Sequence, residues 1–409
     1  MYFHRLYCCF KPSIDGFLNG CRPYLSIDST ALNGRWNGHM PSAVALDRHN
    51  WIFPIAFGFF DSETTDNWTW YLQQLQKAIG NPPYLAISSD ACKGIENAIK
   101  QVYPWAEHRE CFFHLMKNFV KQFQGPAFGR MYPAARTYQL EYYEYLMNKM
   151  YAVSKKVKPY LDKHHSLIWT RSRFSEEIKC EHIANNAAEV WNRWVKDIKD
   201  LPVAELANTL RSKFMDLYAR RRKIGEKFQG HTMLPIVVRQ LNVLSRNLGH
   251  LKVQEGGRDE AEVTEITTTH KVIRQVVNLK NQTCSCREWQ VSGKSCPHAL
   301  ALIITTRNPK MEDFLHPYFS VYHLFMIGKQ YMNSTSVQAA HHLFIVGSLL
   351  FIAIISFLTP SNPICSFSNP CINSGTAFHQ KILPSKFLPP GDKLHILFLR
   401  HELGTCILN

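Results

Sequence analysis

The chain has 409 residues, enough to bury at least one sizeable core and compatible with two domains. Its 47 Lys and Arg outnumber 32 Asp and Glu, and the resulting +15 charge points to a polyanionic partner, nucleic acid ahead of an anionic membrane surface. Its 12 irregularly spaced cysteines exclude a disulfide scaffold at this length, and the first residues lack the charged, apolar and small-residue order of a signal peptide, so secretion is not expected.

Residues 24–28 are a short apolar run ending in Asp28. Residues 40–47 and 51–60 read as two further strands around the polar turn of Arg48, His49 and Asn50. Residues 66–79 carry helical periodicity and stop at Gly80. Residues 84–90 form another short strand ending in a carboxylate, Asp90, and helices are expected over 94–103 and 109–123. Three strands, a crossover helix and a fourth strand predict an α/β domain with a mixed sheet. From 127 to 225 helical signals dominate, and 236–280 returns to strand-like text. Past 325 charge nearly vanishes; Leu343 to Leu358 is an uncharged apolar run of 16 residues, just short of the roughly 17–25 that cross a bilayer.

The most specific local signal is Cys284, Cys286, Cys296 and His298. Three soft thiolates and one imidazole complete a closed tetrahedral zinc shell, the mark of a structural site. Residues 271–279 are strand-like and lead through a polar turn to the first pair. Pro297 opens a helix that continues through 299–304, so the second pair sits at a helix start. Thiolate ligands need a reducing compartment, cytosol or nucleus.

Asp28 and Asp90 pose a different chemistry. Functional groups in open α/β sheets gather beyond the carboxyl ends of strands. Two aspartates there, on neighbouring strands, suit a hard cation such as Mg²⁺ or Mn²⁺. A third carboxylate would let two metals sit about 3.5–4 Å apart and cut a phosphodiester. Strand-end aspartates also serve as plain helix caps. Cys111 and His114, three apart on a helix, face one side and either ligate a metal, buttress the acids or form a buried thiol–histidine pair.

Several motifs together carry a family likeness. They are Gly20 to Pro23, Ile27-Asp28, Gly38, Phe53 to Phe57, Asn67 to Trp70, Ser88 to Asp90, Lys93 to Ile95, and His108, Cys111 and His114. The likeness resumes at Cys180, runs through Asn185 to Asn192 and Leu201-Pro202, and closes with Cys284 to His298 around Trp289 and Pro297. Over 1–325 this text resembles plant Mutator-like element (MULE) transposases, and its cysteine–histidine set resembles the SWIM zinc finger, a ββα module. The resemblance implies an RNase H-like mixed sheet core with a helical insertion and an Asp-Asp-Glu metal triad. Asp28 matches the first acid and Asp90 the second; Glu189 is the choice for the third, with Glu176, Glu177 and Glu181 as competitors. It implies structural Zn²⁺ in the finger, catalytic Mg²⁺ or Mn²⁺ if the chain is active, DNA as partner, and the nucleus.

The expected domains are 1–23, a remnant of an upstream region; 24–125, the core; 126–180, the insertion; 181–235, the helical end of the core; 236–325, the SWIM region; and 326–409, an apolar tail with no family counterpart, of the kind a gene-model error produces. Basic text suited to phosphate contacts includes Lys117, Lys121, Arg171, Arg173, Lys196, Lys199 and the run Arg220, Arg221, Arg222 and Lys223, which also reads as a nuclear import signal. Similar transposases often carry a DNA-binding domain ahead of the core, and none fits before Asp28. The competing expectations are therefore a domesticated, non-catalytic DNA- or protein-binding regulator and, last, a membrane-tethered zinc protein. A homo-oligomer is compatible with either of the first two readings.

Overall fold

A computed structural model describes residues 4–266, 272–306, 309–322, 397–401 and 404–408. The apolar run at 343–358 lies outside them, and no helix among the described residues is long and apolar enough to cross a membrane.

The central sheet is built from β1 (Arg5–Phe10), β2 (Tyr24–Ala31), β3 (His39–Leu46), β4 (Ile52–Phe60), β5 (Ala86–Ser89) and β6 (Glu107–Glu110), in the order β1-β4-β3-β2-β5-β6. The β1–β4, β4–β3 and β3–β2 pairings are antiparallel, whereas β2–β5 and β5–β6 are parallel. This is the RNase H-like mixed sheet. The strands of the middle are buried on both faces, as the continuous apolar text of β4 demands. Pro54 breaks that text without breaking the sheet. It falls where the β3–β4 register shifts between Ala43 and Val44, a bulge that tolerates a residue with no N–H.

Helices α1 (Lys11–Gly20), α2 (Thr65–Ile79) and α3 (Lys93–Val102) pack on the sheet, and α4 (Phe112–Gln122) follows β6. In α2 the Thr64 hydroxyl accepts from the Asn67 N–H at 3.2 Å, and Gly80 ends the helix at φ +70°. Trp68, Tyr71, Leu72, Leu75 and Ile79 form its buried stripe.

The residues ahead of 24 contribute β1, paired with β4, and the helix α1. Two expectations need correction. The helix expected over 109–123 is preceded by a strand, because β6 is polar text whose charges are paired inside the fold. Asp28 is not the last residue of its strand, since β2 continues to Ala31.

The insertion contains α5 (Met131–Arg136), α6 (Leu140–Val153) and α7 (Val157–His164), with a core of its own around Leu115, Phe119, Leu146, Met150 and Trp169. It covers the open edge of β6. The Glu110 N–H donates to Ile168 O at 2.8 Å, and His165 Nδ1 meets Glu110 Oε1 at 2.5 Å in full burial. Arg109 is equally buried; it pairs with Glu107 at 2.6 Å, donates to Cys180 O at 2.6 Å and lies 3.7 Å from the Phe174 ring centroid.

Helices α8 (Asn186–Trp194) and α9 (Val203–Glu226) return to the sheet. The first part of 236–280, read as strand-like, forms α10 (Pro235–Leu244) instead. Proline suits the first helical turn, and Val237 and Leu241 bury one face four residues apart. The SWIM region then forms an antiparallel sheet in the order β10-β9-β8-β7, from β7 (Leu251–Glu255), β8 (Glu260–Ile266), β9 (Val272–Asn278) and β10 (Thr283–Cys284). Short helices α11 (Glu288–Ser292) and α12 (Pro297–Ile303) complete a module larger than a bare ββα unit. Within the tail, β11 (Leu397–His401) and β12 (Gly404–Leu408) pair with each other, and β12 pairs with β1, extending the central sheet.

Candidate metal centres

The register of β2 and β5 sets Ser26 opposite Ser88. Carried forward two residues, it brings Asp28 across from Asp90, which lies one residue beyond β5. Parallel neighbours run about 4.8 Å apart, so the two carboxyls emerge side by side. Burial pushes Asp28 up to about 7 and the charge of Asp90 adds to that, against hydrogen bonds from the Ser29 N–H at 2.9 Å and Asn192 Nδ2 at 3.0 Å. Asp90 accepts from the Cys92 N–H at 3.2 Å. Two such carboxyls oppose joint ionisation unless a cation lies between them.

α8 is pinned to this edge through a buried amide. Asn185 donates to Ile27 O at 3.2 Å and receives the Ser26 hydroxyl, while Ser26 Oγ accepts from the Ala188 N–H at 3.1 Å. Asn192 therefore reaches Asp28, and half-buried Glu189 lies three residues earlier on the same helix. Two of its competitors are engaged elsewhere. Glu176 pairs with Arg287 at 2.9 Å, and Glu181 with Lys294 at 2.6 Å. Neither Asn185 nor Asn192 was singled out from sequence as a site residue, although both lie in the stretch Asn185 to Asn192 that carries the family likeness.

Cys111 caps α4 and its thiol accepts from the Asn185 N–H at 3.2 Å. Its bond to His114, more than the nearby charges of Asp90 and Asp28, lifts that imidazole to about 9 against the effect of burial. The pair thus joins α4 to the start of α8 beside the two acids. The basic run at 220–223 does not act as one patch, because consecutive residues point around the helix. Arg221 turns inward to Asp47 at 3.7 Å and lies 4.0 Å from the Trp51 ring centroid, Arg222 pairs with Glu226 at 3.9 Å, and Arg220 and Lys223 remain exposed.

In the second centre, one ligand atom from each of Cys284, Cys286, Cys296 and His298 lies within 4.8 Å of the others. Tetrahedral zinc with Zn–S near 2.3 Å spaces its ligands by about 3.7 Å, so a small inward adjustment closes the shell. The donor set fits: three buried thiols are gathered with an imidazole whose Nδ1 is buried and has no hydrogen-bond partner. The thiols compete for protons. Hydrogen bonds from Cys286 and Cys296 hold Cys284 down to about 4, and the bond to Cys284 pushes Cys296 up.

Local supports hold the ligands. The Gln290 amide brackets Cys284, accepting from its N–H at 3.2 Å and donating to its carbonyl at 2.9 Å. Cys296 caps α12, accepting from the Ala299 N–H at 3.4 Å. Gly293, at φ +73°, makes the turn between the ligand pairs; a Cβ there would come within 3.0 Å of the His316 Cβ.

Arg287 ties this module to the rest of the chain. It adopts left-handed backbone (φ +65°), unusual for a residue with a Cβ. Its guanidinium donates to Glu176 at 2.9 Å, Ser172 O at 2.6 Å, and Tyr138 O and Phe174 O at 3.2 Å. Beside it, Lys294 meets Glu181. Burial alone would raise the Glu181 carboxyl, but Lys294, Tyr138 and Arg171 outweigh that and hold it down to about 2.

Comparison with known families finds matches in two regions of the chain. The MULE transposase domain matches residues 24–118 and the SWIM zinc finger matches residues 276–306. The chain thus carries a MULE transposase domain followed by a SWIM zinc module. It is 26% identical over 99 residues to Protein FAR1-RELATED SEQUENCE 6 of Arabidopsis thaliana, a match covering 24% of this chain and 14% of that protein. A stretch of 96 residues is 26% identical to PKS-NRPS hybrid synthetase cheA of Chaetomium globosum, covering 22% of this chain and 2% of that one.

Proposed function

We propose that the chain is a transposase-derived DNA-processing protein of the nucleus, in which Asp28, Asp90 and Glu189 hold Mg²⁺ or Mn²⁺ for phosphodiester cleavage and transfer. The observation that carries this reading is the placement of Asp28 and Asp90 side by side, with the carboxyl of Asp28 pushed up to about 7 by burial and by the charge of Asp90. Bound divalent cations would supply the charge that activates the attacking oxygen and offsets that of the leaving oxygen. Asn192 and the Ser29 N–H orient the Asp28 carboxylate, and the Asn185 bridge sets α8, with Glu189, against β2.

In this reading the zinc module is an accessory that binds structural Zn²⁺ and positions partners, while exposed Arg220 and Lys223 contribute phosphate contacts. The test is Mn²⁺-dependent strand cleavage of candidate terminal-repeat DNA by the full, zinc-loaded chain beside Asp90→Ala. Cleavage by the parent chain only is expected. Equal signals from the two would remove the catalytic claim and leave a non-catalytic DNA- or protein-binding regulator on the same fold.

A further inference from the structure

The insertion bears a surface outside the acid centre that runs up to the edge of the zinc centre. On α6, Tyr142 and Tyr145 are 45% and 55% exposed, and their rings stack at 6.2 Å with 13° between planes. Lys149, four residues on, lies 5.5 Å from the Tyr145 ring centroid. Tyr142, Tyr145 and Lys149 share one helix face by their spacing of three and four. On α5, Tyr132 is 47% exposed and Arg136 lies 5.8 Å from its ring centroid. Both cations are exposed, and neither enters an ion pair among the described residues. Tyr132, Arg136 and Tyr142 also line a groove of about 470 Å³, shared with Glu265, Glu288 and the ligands Cys286 and His298 of the zinc module.

Tyr132 rests edge-on against Phe112 at 5.4 Å, but the outward pair Tyr142 and Tyr145 contacts no core ring among the described residues. A cluster of three exposed rings flanked by two cations is more than the single exposed side chains common on any surface. The combination has a known physical use. Unpaired bases stack on aromatic faces whatever their sequence, while interleaved cations hold the backbone. A duplex cannot use such a platform, because its bases are already stacked. A protein partner would call for a continuous apolar patch rather than a stacked ring pair flanked by cations. We propose that Tyr132, Tyr142 and Tyr145, with Arg136 and Lys149, form a binding platform for single-stranded DNA. The choice of DNA rests on the proposed function above; the stacking platform itself does not depend on cleavage.

The test uses the full, zinc-loaded Asp90→Ala chain without added Mg²⁺ or Mn²⁺, so that cleavage plays no part. Anisotropy of a labelled 12-nucleotide oligo(dT) is compared with a duplex of the same length and with oligo(rU). Replacing Tyr142 and Tyr145 together by Ala is expected to weaken oligo(dT) binding by roughly tenfold or more. Replacing both by Phe, which keeps the rings, should leave it within about twofold, and duplex binding should change little. Lys149→Ala should reduce the salt dependence by about 0.7 in log–log slope, the value for one contact to a single strand. Wild-type binding by the Ala pair, an equal loss on duplex, or an equal loss in the Phe pair would overturn the platform. Tighter binding of oligo(rU) than oligo(dT) would overturn the choice of DNA. Loss of cleavage by the parent chain would sink the proposed function while leaving this result intact.

Discussion

Glu181→Gln tests whether the zinc module is fastened to the core by charge. The carboxyl sits 2.6 Å from Lys294 Nζ, with Tyr138 and Arg171 beside it, and these partners hold it near 2 despite burial. A carboxyl moved from 4.5 to about 2 is held ionised by about 3 kcal/mol. With 23% of the side chain still reaching water and three partners sharing the effect, roughly 1–2 kcal/mol falls to Lys294. The sign follows from the depressed value: the stabilisation is complete above about 4.5 and is lost only as pH falls towards about 2. Urea unfolding of the zinc-loaded chain should therefore show the same loss in Glu181→Gln at pH 6 and pH 8. A double-mutant cycle with Lys294→Gln should return a coupling of about 1–2 kcal/mol. A penalty that differs between the two pH values, or additive single mutants, would refute the argument.

Other outcomes follow from the same geometry. Metal analysis should find about one zinc per chain, lost in Cys296→Ser, with hydrogen exchange rising in β9 and α12 rather than in β2 to β5. Arg287→Lys keeps the charge but not the four-way donation, and should cost about 2 kcal/mol or more by denaturant unfolding, since buried carbonyls lose their donor. Because the folded state raises Asp28 from 3.8 to about 7, its ionisation opposes folding, and metal-free stability should fall as pH rises through that window. Mn²⁺ affinity, followed by calorimetry, should accordingly rise between pH 6 and 8 in the parent and much less in Asp28→Asn.

The zinc ligands were legible in sequence because their partners lie within 15 positions and their donor chemistry is unmistakable. The strands β2 to β5 were legible because each carries a short apolar run bounded by polar turns. β6 was not: Glu107, His108, Arg109 and Glu110 read as surface, yet Arg109 and Glu110 are buried. What permits this is partners at 165 and 180, far along the chain, whose presence no local window reveals. The contact of Asn192 with Asp28 spans 164 positions and was hidden for the same reason. The basic run failed in the opposite direction, since four adjacent charges look like one patch in text and diverge around a helix.

The covered edge of β6 bears on how this fold can be divided. An uncovered strand offers free N–H and C=O groups to any neighbouring chain. Excising 126–180 to obtain a minimal core would uncover that strand and strip Glu110 of His165, along with the loop that buries Arg109. The segment inserted between β6 and α8 is thus part of what makes the sheet finite, and a trimmed core should associate edge to edge more readily than the full chain.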